Sequence, residues 1–193
     1  ALFTGCAWVL CLDSSVTPLA DWLDLAAVLT SSLQARVVPA TAAEHDRAVA
    51  AVSHVPHLLA AALAARAGAD PLAITLGAGS FRDGTRVAAT SPDFVAAMCG
   101  GNAPAVRSAL DAVLDALREA RAALDTADPV AALRPWLAPG HAVRSNWPPS
   151  PGAAEELPAD IEALLDLGRA GGWVTAVAAD RRTVTAVRPA PRR

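Results

Sequence analysis

Apolar and polar positions along the chain change their spacing twice. Near the start, Cys6–Leu12 (C-A-W-V-L-C-L) is an unbroken apolar run closed by Asp13-Ser14-Ser15, which reads as a buried strand before a turn. One strand is not stable alone, and no neighbouring segment plainly supplies its partner. From Pro18 to Ala35 the spacing becomes helical, with Leu19, Trp22, Leu23, Ala26, Leu29 and Leu33 on one side. Arg36–Pro39 reads as a short extended link. Thr41-Ala42-Ala43-Glu44 has the form of a capping box and opens a helix toward Gly68. Pro56 lies inside that helix and has no backbone donor, so a kink near Val52 is predicted. Ser91-Pro92 opens a further helix that ends at Gly100-Gly101. Asn102 then caps a long helix to Leu124, with a heptad-like seam of Val106, Leu110, Val113, Leu117, Ala120 and Leu124. Asp128-Pro129 starts one more helix, through Trp136, and the Pro/Gly/Ser-rich residues 140–154 read as a loop. The tail changes again. A helix over 158–167 precedes two alternating runs, Trp173–Val177 and Thr183–Val187, that predict a hairpin.

Composition narrows the class. The 193 residues are enough for one domain plus a small appendage, and 53% hydrophobic against 18% charged residues excludes intrinsic disorder. The net charge of −3 leaves no basic excess for phosphates, so no nucleic-acid partner is expected. Cys6, Cys11 and Cys99 fit neither a disulfide framework nor a zinc site, which points to a reducing, cytoplasmic setting. The most apolar stretch, Ala48–Ala65, is interrupted by Ser53, His54, Pro56 and His57. No run of the roughly 18 apolar residues that a membrane span needs is read from it. A start at Ala1-Leu2-Phe3 without Met reads as the interior of something longer.

Candidate chemistry is concentrated in two places. On a regular helix Asp46, Ser53 and His57 fall within an arc of about 40°, one narrow polar stripe among Ala, Val and Leu; a solvent-facing stripe is the alternative reading. His54 and His57 lack a third ligand at convincing spacing, so no metal is expected. Gly77-Ala78-Gly79-Ser80-Phe81-Arg82 begins like a dinucleotide fingerprint. Arg82 stands at the third glycine position, no strand plainly precedes it and no helix directly follows, which rejects that reading. Arg82 and Arg86, four residues apart in a Gly-rich turn, suit recognition of a carboxylate by paired donors, against the alternative of a solvated surface turn. No Ser-His-Asp or Cys-His arrangement is persuasive.

Taken together, these segments resemble the prephenate dehydrogenase family. His45-Asp46 followed by Ser53-His54-Val55-Pro56-His57 is similar to the family's H-D and S-H-L-P-H signature. Gly79–Ala88 (G-S-F-R-D-G-T-R-V-A) is similar to its G-F-R-D-x-T-R-I-A segment, and Thr90 to Asn102 to the S-x-P segment ending in Asn that follows. Leu2–Leu10 resembles the L-F-x-G-x-x-W-V-L run that closes the family's nucleotide-binding domain. Val95, with Phe94 beside it, stands where many members have an aromatic residue.

The resemblance implies a mainly α fold: a helical dimerisation domain of the 6-phosphogluconate-dehydrogenase-like type, with a residual N-terminal strand and a C-terminal helix plus β-hairpin. The implied divisions are 1–15 (last strand of the nucleotide-binding domain and linker), 16–138 (helical substrate-binding and dimerisation domain) and 139–193 (loop and α-β-β extension). The implied activity is oxidative decarboxylation of prephenate to 4-hydroxyphenylpyruvate with NAD or NADP, in tyrosine biosynthesis. The cofactor would be held mainly by a nucleotide-binding domain upstream, along with the catalytic His, so no catalytic residue is expected here and this chain alone would be inactive. Arg86 would clamp a substrate carboxylate, His57 would donate to the substrate side chain with Ser53 in support, and Asp46 would reach Arg86 across a homodimer. Arogenate dehydrogenase, and a non-catalytic helical dimerisation module, are the other readings.

Overall fold

The computed structural model describes residues 3–191, so Leu2 of the N-terminal run lies outside the described residues. In chain order the elements are β1 Ala7–Cys11, α1 Leu19–Leu33, β2 Arg36–Ala40, α2 Ala42–Val49, a π-helical turn Ala50–His54, α3 Val55–Gly68, α4 Pro71–Thr75 and α5 Gly79–Thr85. A 3₁₀ segment Arg86–Ala89 follows, then α6 Pro92–Gly101, α7 Ala103–Leu124, α8 Pro129–Ser145, β3 Pro151–Pro158, α9 Ile161–Arg169, β4 Trp173–Val177 and β5 Thr183–Pro189. The chain is mainly α. It forms two compact units, one from the segments through His45 and from Pro135 onward, the other Asp46–Arg134.

The first unit is built on a five-stranded sheet of order β1-β2-β4-β5-β3. Arg36–Pro39, expected as a link, is instead strand β2. It pairs in parallel with β1, from Ala7↔Arg36 to Cys11↔Ala40, with α1 as the crossover that such a pair requires. β1 thereby finds its partner within the chain. The predicted hairpin β4–β5 is present, and β4 joins β2 antiparallel at Val37↔Val174. The N-terminal strand and the C-terminal α-β-β segment therefore share one sheet, and the unit boundaries differ from divisions at 15/16 and 138/139.

Of residues 140–154 only 146–150 form a loop. α8 runs on through Pro135 and Pro139 to Ser145, and β3 begins at Pro151. A helical proline deprives the carbonyl four residues earlier of its donor. Here Ala131 and Pro135, the residues so deprived, are exposed, and water can serve their carbonyls. β3 is an edge strand paired antiparallel with β5, with prolines at its two ends, where a missing donor does least harm.

A single core joins α1, α9 and the sheet: Leu12, Trp22, Leu23, Ala26, Leu29, Val37, Leu164, Leu167, Val174, Val184 and Ala186 are all buried. The Trp22 indole N–H donates to the Leu10 carbonyl at 3.2 Å, which satisfies its polar edge. α9 lies so close to β2 that a Cβ on Gly168 would overlap the Pro39 carbonyl. The capping box forms as predicted. The Thr41 N–H donates to the Glu44 carboxylate at 2.9 Å, and the Glu44 N–H donates to the Thr41 hydroxyl at 3.2 Å. The same carboxylate accepts from Arg169 Nε at 2.7 Å, tying the start of α2 to the end of α9. The Arg169 bond, then those from Thr41, lower the Glu44 carboxyl to about 2 from an ordinary 4.5.

Two outcomes follow from these contacts. Gly168→Ala is expected to lower unfolding stability by about 1–3 kcal/mol in urea titration, because the overlap is with backbone that must move. Glu44 is a depressed carboxylate, so its contribution is complete above the unfolded value of 4.5 and is lost as pH falls toward 2. Glu44→Gln should therefore lower Tm at pH 7 and flatten the decline of Tm between those two pH values, as read by calorimetry.

Candidate functional site

The second unit holds the polar cluster singled out in the sequence, and its form is set by Pro56. Helix runs continuously from Ala42 to Gly68, but over Ala50–His54 it widens into a π turn just before the proline. The predicted kink takes this form: the turn inserts one residue relative to an α-helix, where Pro56 cannot donate. This breaks the expected stripe. One extra residue shifts Asp46 by roughly 100° relative to Ser53 and His57, so the three no longer share an arc of 40°. Their environments differ accordingly: Asp46 is exposed, Ser53 and His57 are half-buried.

His57 is held by two elements. Its Nδ1 lies 2.9 Å from the Ser53 carbonyl, and the Thr90 hydroxyl stands 3.5 Å from its Nε2. A carbonyl only accepts, so Nδ1 carries the hydrogen, and the neutral ring offers a lone pair at Nε2. Thr90 follows the 3₁₀ segment, which packs on α3 and begins with Arg86. The Arg86 side chain is exposed, and no hydrogen bond or ion pair engages its guanidinium among the described residues. Arg82 instead pairs with Asp83 at 3.4 Å and both are largely exposed, the behaviour of a solvated surface pair. The stretch read as a Gly-rich turn is thus helical, α5 followed by 3₁₀. Gly77 ends the preceding turn where a Cβ would crowd the Ile74 carbonyl at 3.1 Å.

Sequence reasoning missed three participants. His54 is buried at 8% exposure. Asn102 occupies the N-cap position of α7, but its side chain makes no capping bond. Its amide reaches the Asp46 carbonyl at 2.8 Å and His54 Nδ1 at 3.4 Å. Ser91 likewise occupies the N-cap of α6 without a side-chain capping bond. Thr90 is the third; it opens the segment similar to the family's S-x-P motif, but nothing in that motif signals its contact with His57. The structure thus forms two hydrogen-bonded groups, Ser53–His57–Thr90 and Asp46 (through its carbonyl)–Asn102–His54, with Arg86 opening the segment that Thr90 follows. Among the described residues no group of three or more His, Cys, Asp or Glu side chains gathers as a metal site.

The Ala42–Gly68 helix is by length and composition apolar enough to cross a membrane, with a mean hydropathy of 1.6, which counting uninterrupted apolar residues did not detect. Only 22% of its apolar window is buried in this chain. It nonetheless packs on α4, α5, the 3₁₀ segment and α7, and it carries the two bonded histidines.

Known proteins match this region. A family model described as prephenate dehydrogenase, dimerization domain, matches residues 41–137. The cyclohexadienyl dehydrogenase of Zymomonas mobilis is 36% identical over 94 residues, 46% of this chain and 32% of that protein. A structure assigned as a prephenate dehydrogenase, from Corynebacterium glutamicum, superposes with a TM-score of 0.68 at 35% identity, over 76% of this chain and 48% of its own. The arogenate dehydrogenase of Synechocystis superposes with a TM-score of 0.68 at 26% identity, over 76% of this chain and 54% of its own. The chain therefore spans about half the length of these solved structures and about a third of the curated relative.

Thr90 tests the geometry directly. Thr90→Val removes the hydroxyl that faces His57 Nε2 while keeping side-chain shape. A net loss of about 1 kcal/mol or less is expected in denaturant titration, because the bond is long and half-exposed.

Proposed function

The chain belongs to the prephenate dehydrogenase family, and on that premise we propose that it supplies the substrate-binding and subunit-contact part of a dehydrogenase that acts on prephenate. The observation behind this reading is that the 3₁₀ segment presents Arg86 at one end while the residue following its other end, Thr90, touches His57. A cation and a half-buried imidazole are thus held on one packed pair of elements.

The chemistry asks for both. Prephenate carries two carboxylates, and seating either one out of water requires a charged partner. Arg86 suits that task because its guanidinium is always charged and offers parallel donors. His57 presents Nε2 toward the Thr90 hydroxyl, and with Nδ1 engaged by Ser53 that nitrogen donates only when the ring is protonated and otherwise accepts. The expected donation to the substrate side chain therefore takes the imidazolium, while a substrate hydroxyl is bound by the neutral ring. Ser53 acts through its carbonyl, which orients that ring. We place the Asp46 carboxylate near Arg86 of a second copy, as the family resemblance implies.

NAD or NADP, when bound, supplies the hydride acceptor for oxidative decarboxylation. The described residues do not fit it: the β1–α1 connection, Asp13–Pro18, contains no glycine-rich loop to cradle a pyrophosphate. No step of hydride transfer is therefore assigned to residues of this chain, and the nucleotide is read as bound elsewhere in the enzyme.

The homodimer reading draws support from α7. Its seam is buried at Val106 but opens along the helix, with Leu117 at 46% and Leu124 at 57% exposure. The apolar face of Ala42–Gly68 is also open, at Val52 and Leu63. Apolar surface of this extent is characteristic of an interface, and we assign it to a second copy in the cytoplasm rather than to lipid. Arogenate is the second substrate reading, favoured by the Synechocystis relative, since no residue of the cluster distinguishes a keto from an amino side chain.

Calorimetric titration of this chain with prephenate and with arogenate tests the proposal. Binding of at least one is expected. Arg86→Ala should weaken it about 10-fold or more, while Arg82→Ala leaves it within about threefold. Equal affinities for Arg86→Ala and the unaltered chain would overturn the assignment. Light scattering is expected to report a dimer, and the double variant Leu117→Asp/Leu124→Asp a monomer that keeps its helical circular dichroism.

A further inference from the structure

We infer that Asn102 is a positioning residue of this site: it holds His54 as the tautomer with hydrogen on Nε2, opposite to the tautomer of His57 three residues away. The tautomers stand on geometry alone; only their effect on ligand binding rests on the function proposed above.

The orientation of the Asn102 amide is decided by Asp46. The Asp46 backbone carbonyl, 2.8 Å from Asn102, can only accept, so the amide nitrogen and not the amide oxygen must face it. That nitrogen has two hydrogens and no available lone pair. Its second hydrogen is directed at His54 Nδ1, 3.4 Å away. Nδ1 must therefore accept, and the single hydrogen of neutral His54 resides on Nε2. At 8% exposure His54 has little water to substitute for this bond if it is lost.

His57 is set the other way. Its Nδ1 donates to the Ser53 carbonyl, leaving a lone pair on Nε2 toward the Thr90 hydroxyl. One short motif, Ser53-His54-Val55-Pro56-His57, thus carries a ring that donates through Nε2 and a ring that accepts through Nε2. The difference comes from one carbonyl on the helix itself and one amide contributed from the start of α7. This accounts for Asn102 at an N-cap where its side chain does no capping.

The test is ¹⁵N–¹H correlation of the histidine rings in this chain at pH ~9, well above the ordinary imidazole range. In the unaltered protein the imine-type nitrogen signal should fall on Nδ1 of His54 and on Nε2 of His57. Asn102→Asp replaces the donor by an acceptor while keeping a favoured N-cap residue, so the helix start is preserved. It should move the imine-type signal of His54 to Nε2 and leave His57 unchanged. Asn102→Ala should give His54 a mixture of both forms. The inference is overturned if unaltered His54 carries hydrogen on Nδ1, or if Asn102→Asp leaves its tautomer as before. Prephenate titration of the same proteins separates the two ideas. Binding about 10-fold weaker in Asn102→Asp supports a positioning role, and equal binding despite a switched tautomer refutes that role. Failure of the unaltered chain to bind either prephenate or arogenate counts against the proposed function and leaves the tautomer assignment to the spectra.

Discussion

Pro56 has no amide hydrogen, and the long helix from Ala42 to Gly68 is arranged around that absence. A regular α-helix would leave a carbonyl one turn earlier without its donor and press the proline ring against it. The π turn over Ala50–His54 absorbs the mismatch by adding a residue where the ladder is already interrupted. Polar side chains gather on the same stretch of helix. The His57 imidazole donates to the Ser53 carbonyl, and the Asn102 amide donates to the Asp46 carbonyl. The cluster thus sits on a helix irregularity, with polar side chains placed on two of its backbone carbonyls, and its members lie close in sequence yet face different surroundings.

What could be read in the sequence was what is decided locally. The Thr41–Glu44 capping box needs only residues three apart, and it forms. The β4–β5 hairpin needs two alternating runs and a turn, and it forms as well. The family motifs contain Asp46, Ser53, His57 and Arg86, but they say nothing of the bonds that hold the His57 ring. Asn102 looked like a cap because its neighbours are Gly-Gly and the start of a helix; its partner His54 lies 48 positions away, and no spacing reveals that. The even stripe failed for a related reason. Helical phase was counted as if a proline left it untouched.

The missed strands tell the same story in the sheet. β2 is five residues with a proline inside, and its strand character comes from its parallel alignment with β1. β3 has little apolar alternation and is held by β5. In both cases the partner strand, distant or nearby, decides what the segment's own residues leave open. The helices were easier because most of their bonds are internal, although α8 outran its proline-based stop by keeping its freed carbonyls in solvent.

The sheet also places an order on biosynthesis. Its parallel pair, β1 and β2, is translated first, while β3, β4 and β5 come last, and the whole helical unit Asp46–Arg134 is encoded between them. Local helical contacts close quickly, whereas pairing Val37 with Val174 must wait for most of the chain. During synthesis the inserted unit is therefore made while Leu12, Val37 and the apolar side of α1 still lack β4, β5 and α9, which complete their core here. Until translation reaches β4, this sheet consists of β1 and β2 with α1, and its remaining edge and face wait for the last third of the described residues.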